Sequence, residues 1–151
     1  MEIKRYDPRK DKDALKELFE NFKQNKKFYF EANWNKFEKE LNKRTLNLQY
    51  RNSMLAAKEG DDLIGWITYT IFTDYLGNER VLIHQVLTKK QDSFKKGIEE
   101  ALLRELQSYI KKTLNKRTVF YICPDSDGAM RSLLMKLGAK KSKFVWYENE
   151  I

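Results

Sequence analysis

Cysteine and histidine are nearly missing from this sequence of 151 residues, since each occurs once, as Cys123 and His84. One cysteine cannot form a disulfide within the chain, and one cysteine with one histidine cannot build an ordinary four-ligand zinc site. No metal site is therefore expected. No apolar run approaches the roughly 18 residues that a membrane span needs, and the N-terminal segment MEIKRYDPRKDKD lacks the apolar core of a signal peptide. We expect a cytoplasmic protein with no membrane association.

Positive charge exceeds negative charge in this composition. Lys+Arg 30 against Asp+Glu 22 gives a net charge of +8. Such an excess favours anionic partners, either nucleic acid, an acidic protein or a polyphosphate cofactor, but it is also typical of a lysine-rich surface without a specific partner. Hydrophobic residues make up 41% and aromatic residues 13%, which is a globular composition. At this length we expect a single domain over residues 1–151.

The N-terminal third predicts one short strand and two helices. Residues 2–6 read as a strand, and Asp11 or Asp13 can cap a helix that follows. The buried stripe of this helix is Leu15, Leu18, Phe19 and Phe22. The stretch FYFEANWNKFEKEL predicts a second helix with a stripe of Phe30, Trp34, Phe37 and Leu41. An aromatic stripe at this spacing is more often core than ligand site, and the lysines between the aromatics leave a nucleic-acid surface open.

Three strands separated by short turns follow. Residues 54–58 and 63–72 are joined by the turn EGDD, and the third strand, VLIHQVLT, comes after a turn that contains Gly77. Strands connected so closely predict an antiparallel meander. Gly65 lies inside the second strand, where a glycine indicates either a β-bulge or a close approach of another element to the backbone.

The rest of the chain predicts helices and strands in alternation. A long helix runs from residue 93 to about residue 112, with Asp92 or Ser93 as its N-cap. TVFYIC predicts a buried strand, residues 127–137 a helix that ends at Gly138, and KFVWYENEI a closing strand. The order β-α-α-β-β-β-α-β-α-β predicts a mixed α+β sheet with helices packed against it.

This order resembles the GCN5-related N-acetyltransferase (GNAT) superfamily in three stretches. AAKEGDDLIGWITYTIF is similar to the hairpin of the family, and VLIHQVLT with GIEEALLRELQSYI is similar to its fourth strand and cofactor helix. DSDGAMRSLLMKLGAKK is similar to its late helix. The resemblance implies an α+β, GNAT-like (acyl-CoA N-acyltransferase) fold, in which a mixed central sheet contains an antiparallel meander and carries flanking helices.

The resemblance also implies acetyl-coenzyme A (acetyl-CoA) as co-substrate. In the family, the pantetheine arm lies between the splayed fourth and fifth strands and is held by backbone amides of the fourth strand. Those positions map here to Gln85, Val86 and Leu87. The pyrophosphate binds amides of the turn before the cofactor helix. That turn maps here to Lys95, Lys96, Gly97 and Ile98.

The turn departs from the family pattern Gln/Arg-x-x-Gly-x-Gly/Ala. When the sequence is aligned on GIEEALL, Gly97 keeps the first glycine, whereas Glu99 replaces the second and Phe94 replaces the Gln/Arg. When it is aligned on Gln91, Phe94 and Lys96 fall on the glycines. Side chains at these positions obstruct the approach of backbone to phosphate, while the lysines of the turn supply positive charge. A phosphate site that depends on lysines and a lost phosphate site are both open interpretations.

Three further positions bear on catalysis. Many relatives use a tyrosine of the late helix as general acid for the leaving thiolate, and this position maps to Leu134, which cannot donate a proton. His84 has the only side chain whose unperturbed pKa lies near neutrality, and it maps where relatives place a glutamate or a water-binding residue. It is the candidate base, and a structural histidine is the alternative. Asp125 or Asp127 takes the place of an asparagine that is common in the family, and both are interpreted as helix caps.

The resemblance implies an acetyl-CoA-dependent N-acetyltransferase that acts by direct transfer on an amine that the sequence does not identify. Leu134 and the altered turn favour an alternative, a GNAT-like domain without catalysis that serves as a binding or dimerisation module. In this second interpretation the protein could form a homodimer. A small basic nucleic-acid-binding protein is the third interpretation, and steep salt dependence of binding would single it out.

Overall fold

The computed structural model describes residues 1–89 and 97–151. The strands are β1 (Glu2–Arg5), β2 (Leu55–Glu59), β3 (Asp62–Ile67), β4 (Tyr69–Thr73), β5 (Glu79–Ile83), β6 (Leu87–Thr88) and β7 (Phe120–Tyr121). The helices are α1 (Lys12–Asn25), α2 (Trp34–Leu46), α3 (Leu48–Arg51), α4 (Ile98–Thr113) and α5 (Gly128–Lys136). The predicted N-cap residues Asp92 and Ser93 and the predicted phosphate contacts Lys95 and Lys96 lie outside the described residues.

The strands pair in two groups, in the orders β1-β2-β3-β6 and β4-β5-β7. Thr68 alone separates β3 from β4, and residues 84–86 separate β5 from β6. Each of these pairs is thus one predicted strand interrupted by a kink. The pairs β2–β3, β4–β5 and β3–β6 are antiparallel, whereas β5 and β7 run parallel. The predicted α+β sheet with an antiparallel meander is confirmed.

Helices cover both faces of the sheet. Neighbouring residues of β2 point to opposite sides, because side chains alternate along a strand. Ala56 therefore belongs to the apolar cluster that contains α1, and Ala57 to the cluster that contains α4 and α5. The predicted stripe of α1 is buried in full: Leu15, Leu18, Phe19 and Phe22. Burial on both faces explains why β3 is apolar at successive positions and not only at alternate ones.

Gly65 lies both beside a β-bulge and at a close approach of another element, the two features that a glycine within a strand indicates. In the pairing of β2 with β3, Ala57 is opposite Gly65 but Lys58 is opposite Leu63, so a bulge lies between them. A Cβ at position 65 would lie 2.8 Å from Cγ2 of Ile98 and 2.9 Å from Cδ1 of Leu102. The first turn of α4 thus packs directly on the backbone of β3, and this contact positions the N-terminus of the helix.

Gly65→Ala is expected to lower the free energy of unfolding by about 1–3 kcal/mol, because the added methyl group overpacks the contact with α4. Urea denaturation measures the loss. The matched control is Gly128→Ala, where the added Cβ would meet only Nη2 of Arg131 at 3.7 Å. We expect this control to change stability by less than about 0.5 kcal/mol. Equal losses in the two variants would contradict the close packing of α4 on β3.

The bounds of three further predicted elements differ from those in the structure. The second helix begins at Trp34 and excludes Phe30, because Asn33 caps it by accepting a hydrogen bond from the Lys36 amide at 3.2 Å. The described part of the long helix begins at Ile98, after Gly97 in the left-handed conformation. The strand expected over TVFYIC pairs only at Phe120–Tyr121, and both of these residues are half-buried.

The closing strand predicted for KFVWYENEI is wrong. No strand of the described residues includes positions 143–151, and Trp146 and Tyr147 are 92% and 94% exposed. Apolar residues with high strand propensity form a strand only when a sheet has a free edge strand to pair with them. The amino-acid sequence of the segment does not show whether such an edge strand exists. No helix within residues 1–89 and 97–151 combines the length and hydropathy that a membrane span requires.

Candidate functional site

The strands part at the junction of β5 and β6. β5 pairs in parallel with β7, with Leu82 opposite Phe120 and Ile83 opposite Tyr121. Its continuation β6 pairs with β3, which continues β4 on the other side, and no described strand extends β7 alongside β6. A gap therefore opens between β6 and the chain that leaves β7 towards α5, which is the splay that the resemblance predicted.

A β-bulge marks the point of divergence. The His84 amide donates to the Thr68 carbonyl at 3.1 Å, and the Lys89 amide donates to the Ile64 carbonyl at 3.2 Å. Between these two bonds, the strand from His84 to Lys89 advances by five residues, whereas its partner strand, from Thr68 to Ile64, advances by only four. The strand from His84 to Lys89 therefore carries one extra residue. A bulge takes backbone groups out of the regular ladder and is frequent beside binding sites. The predicted coenzyme contact Val86 lies in this bulged segment.

Two cavities meet at the bulge. The first, which we term the splay cleft, has a volume of about 440 Å³ and lies between β6, the first turn of α4 and the start of α5. The second, which we term the aromatic cavity, has a volume of about 350 Å³ and lies between α1, α2 and the kinked strands. Phe28, Tyr29 and Gln85 line both cavities and form the wall between them. Val86 lines the splay cleft, and His84 and Leu87 line the aromatic cavity.

The segment of residues 26–29, which we term the strap, crosses the gap and is fixed on both sides. The side chain of Gln85 accepts a hydrogen bond from the Tyr29 amide at 2.9 Å and donates one to the Lys27 carbonyl at 2.9 Å. On the opposite side, the Tyr29 hydroxyl donates to the Asp127 carboxylate at 2.6 Å. Burial, followed by this hydrogen bond, raises the pKa of Tyr29, so its hydroxyl keeps its proton. The role of Gln85 therefore includes a structural one, through its side chain.

Asp127 holds two elements at once. One carboxylate oxygen accepts from Tyr29, and the other accepts from the Met130 amide at 3.0 Å as the N-cap of α5. This confirms the interpretation of Asp127 as a cap. The contact with Tyr29 was not predicted, because the sequence around residue 29 contains only an aromatic pattern and a polar break.

The start of α4 combines a glycine with a buried acid. Gly97 has φ +71° at the N-cap, a conformation that a glycine adopts without steric cost. Glu99, in the first turn, is only 2% exposed, and the Lys26 ammonium lies 3.8 Å from its carboxylate. The same ammonium donates to the Thr88 hydroxyl at 2.9 Å. The charge of Glu99 is thus compensated within the protein. Ile98 is buried in the core, so this predicted contact can offer only its backbone to a ligand.

His84 lies at the floor of the aromatic cavity within a polar network. Its Nε2 is 2.5 Å from the Thr70 hydroxyl, which accepts a hydrogen bond from Arg44 Nη2 at 2.6 Å. Arg44 also donates through Nη1 to the Tyr69 carbonyl at 2.7 Å. Burial, and secondly the charge of Arg44, lower the pKa of His84 to about 4. The imidazole is therefore neutral at neutral pH. The role of Arg44 in this network was not predicted.

Leu134 lies in the apolar core, 8% exposed, beside Met130 and Leu133. The late helix consequently presents no hydroxyl at this position. The tyrosine that the structure does place at the splay cleft, Tyr29, comes from the strap and not from α5.

No family model and no curated protein matches the sequence. Solved structures, however, match over nearly the whole chain. A possible acetyltransferase from Clostridium difficile 630 has a TM-score of 0.75 at 16% identity, over 99% of this chain and 97% of that one. A ribosomal-protein-alanine N-acetyltransferase from Brucella melitensis biovar Abortus 2308 has a TM-score of 0.70 at 17% identity, over 100% of both chains. An aminoglycoside antibiotic 6'-N-acetyltransferase from Acinetobacter haemolyticus has a TM-score of 0.67 at 15% identity, over 100% of this chain and 99% of that one. The chain has the fold of the GNAT acetyltransferases, as predicted.

Proposed function

We propose that this protein is an acetyl-CoA-dependent N-acetyltransferase that transfers the acetyl group directly to a primary amine. The observation that carries the proposal is the meeting of two cavities at the β-bulge, one suited to a coenzyme arm and one suited to an acceptor. Because one fold can host many functions, this arrangement of the site supports the proposal more strongly than the fold does.

The described residues fit the pantetheine arm of the coenzyme. Val86 and Met130 give the splay cleft apolar walls, and the bulge beside Val86 offers backbone groups outside the ladder. Gly97 leaves room before the N-terminus of α4, whose amides are suited to the pyrophosphate. Lys95 and Lys96 remain part of this proposal as the two cations that directly precede Gly97 in the sequence. Bound acetyl-CoA would supply the activated thioester.

His84 is the proposed proton acceptor. Its imidazole is neutral above about pH 5, because its pKa lies at about 4, and it can therefore accept a proton across the neutral range. Such a weak base does not retain the proton but passes it to water. The coenzyme thiolate can depart without an acid from α5, because an ordinary thiol pKa of about 8.5 makes it a moderately stable anion. Leu134 is thus compatible with a slow direct transfer.

A GNAT-like binding module without catalysis is the second candidate. The burial of Leu134 in the core favours it, since α5 provides no acid at that position. This candidate predicts binding of acetyl-CoA or of a partner without turnover.

The test is chromatographic measurement of coenzyme release from acetyl-CoA in the presence of a mixture of primary amines. Ser126 is an exposed residue that lines the splay cleft, and its neighbour Asp125 is exposed and lies outside that lining. We expect Ser126→Trp to raise the KM for acetyl-CoA about tenfold, roughly 1.4 kcal/mol of binding, while Asp125→Trp leaves it unchanged. Coenzyme binding without any amine-dependent release would favour the second candidate.

A further inference from the structure

We infer that the aromatic cavity takes a small primary monoamine with an aromatic body, an arylalkylamine, as the acceptor. This inference names the acceptor class and rests on the proposed transferase function. Its grounds are the volume of the cavity, the chemistry of its walls and the balance of its charges.

The cavity is small and its walls are mainly apolar. Its volume of about 350 Å³ is near the lower end for small-molecule sites, which suits a ligand of one ring with a short chain. Phe28, Phe37, Trp66 and Ile122 contribute apolar lining. The rings of Phe37 and Trp66 already pack edge to face, with centroids 5.4 Å apart. A ligand ring can extend this array, because aromatic pairs favour such arrangements.

The charges of the lining balance one another. Of the described residues that line the cavity, Glu31 and Glu40 are acidic, and Lys36 and Arg44 are basic. Arg44 is bound internally, since its Nε donates to Glu40 at 3.3 Å. A polycationic acceptor would lose water around several charges without meeting a negative surface, which is costly. A monoamine brings one charge, and Glu31 is the carboxylate of the lining that Arg44 does not bind.

The apolar walls also assist the chemistry. The acceptor must attack as a neutral amine, and burial favours the neutral form of an amine by lowering its pKa. Burial is likewise the main cause of the lowered pKa of His84, whose protonated form is also a cation and which lines the same cavity. In the transfer, the amine lone pair forms the C–N bond, the C–S bond breaks with its electron pair going to sulfur, and the proton lost by nitrogen passes through His84 to water. No further reactant is needed.

Calorimetric titration of the full chain with phenethylamine and with spermidine, followed by acetylation assays with both amines, tests the inference. Ala32 is half-buried and lines the cavity, whereas Ala129 is exposed on α5 and lies outside that lining. We expect phenethylamine to bind at least about tenfold more tightly than spermidine. Ala32→Phe should weaken phenethylamine binding by at least about tenfold, and Ala129→Phe by less than about twofold. Lys36→Trp fills the cavity from an exposed position and replaces Ala32→Phe if that variant does not fold.

The outcomes separate this inference from the proposed function. Spermidine binding as tight as phenethylamine binding, no saturable phenethylamine binding, or no effect of either filling variant would overturn the acceptor class. If spermidine alone is acetylated, the transferase function stands and the acceptor class fails. If phenethylamine binds as expected but no amine is acetylated, the cavity assignment stands and the transferase function fails.

Discussion

Gly97→Trp is expected to weaken acetyl-CoA binding by about thirtyfold or more, a loss of roughly 2 kcal/mol. Gly97 stands at the N-cap of α4, where the amides of the first turn are available to an anion. Apart from the chain neighbours of Gly97, no described residue has an atom within 4 Å of a Cβ placed there, so an indole would occupy the space through which a phosphate approaches. Isothermal titration calorimetry with acetyl-CoA measures the loss.

Gly60→Trp is the matched control for this variant. Gly60 has φ +60°, close to the +71° of Gly97, and a Cβ there would also meet nothing within 4 Å. Both substitutions should therefore cost about 1–2 kcal/mol of stability through the left-handed backbone conformation. Gly60 lies in the turn between β2 and β3, so its substitution should leave coenzyme affinity within about twofold. Equal affinities in the wild-type protein and both variants would show that the start of α4 is not the phosphate site.

Lowering the pH from 7 to 4 is expected to cost the wild-type protein about 3 kcal/mol of stability that His84→Gln does not lose. The pKa of His84 falls from an ordinary value near 6.5 to about 4 in the folded state, owing first to burial and then to Arg44. The unfolded chain therefore binds a proton at a pH where the folded protein does not, and stability declines as pH falls from about 6.5 towards 4. Each pKa unit corresponds to about 1.4 kcal/mol.

Urea denaturation of both proteins at pH 7 and pH 4 measures this loss. The difference between wild type and variant removes the contribution of the carboxylates, which the two proteins share. Because the chain has one histidine, proton NMR follows its imidazole without overlap from another. An imidazole that titrates near pH 6.5, or a stability difference that is constant with pH, would contradict the buried network of His84 with Thr70 and Arg44.

The parts of the fold that the sequence predicts correctly are those specified by local patterns. The stripe of α1 repeats at helical spacing, the EGDD turn joins two strand-like runs, and Gly65 interrupts an apolar strand where its backbone meets α4. Each signal depends on residues that are close in the chain. The closing strand shows the limit of such patterns, because the sequence KFVWYENEI describes a suitable strand but not whether an edge is free for it.

The candidate site could be predicted only in part, because its contacts join distant positions. His84 and Val86 were identified through the resemblance, and the structure places both beside the two cavities. The hydrogen bond from Tyr29 to Asp127 spans 98 positions, and no local feature indicates it. The lowered pKa of His84 depends on burial and on Arg44, which reaches it from a different helix. Environment, and not residue type, determines these properties.

The most direct test of the central claim is an amide NMR titration of the labelled protein with acetyl-CoA. If the splay cleft holds the pantetheine arm, the amides of Val86 and Thr88 should show the largest shift changes, and the His84 imidazole should shift with them, because all three lie at the bulge or in β6. Absence of changes at Val86 and Thr88, with any response confined to surface lysines, would contradict the assignment of the splay cleft as the coenzyme site.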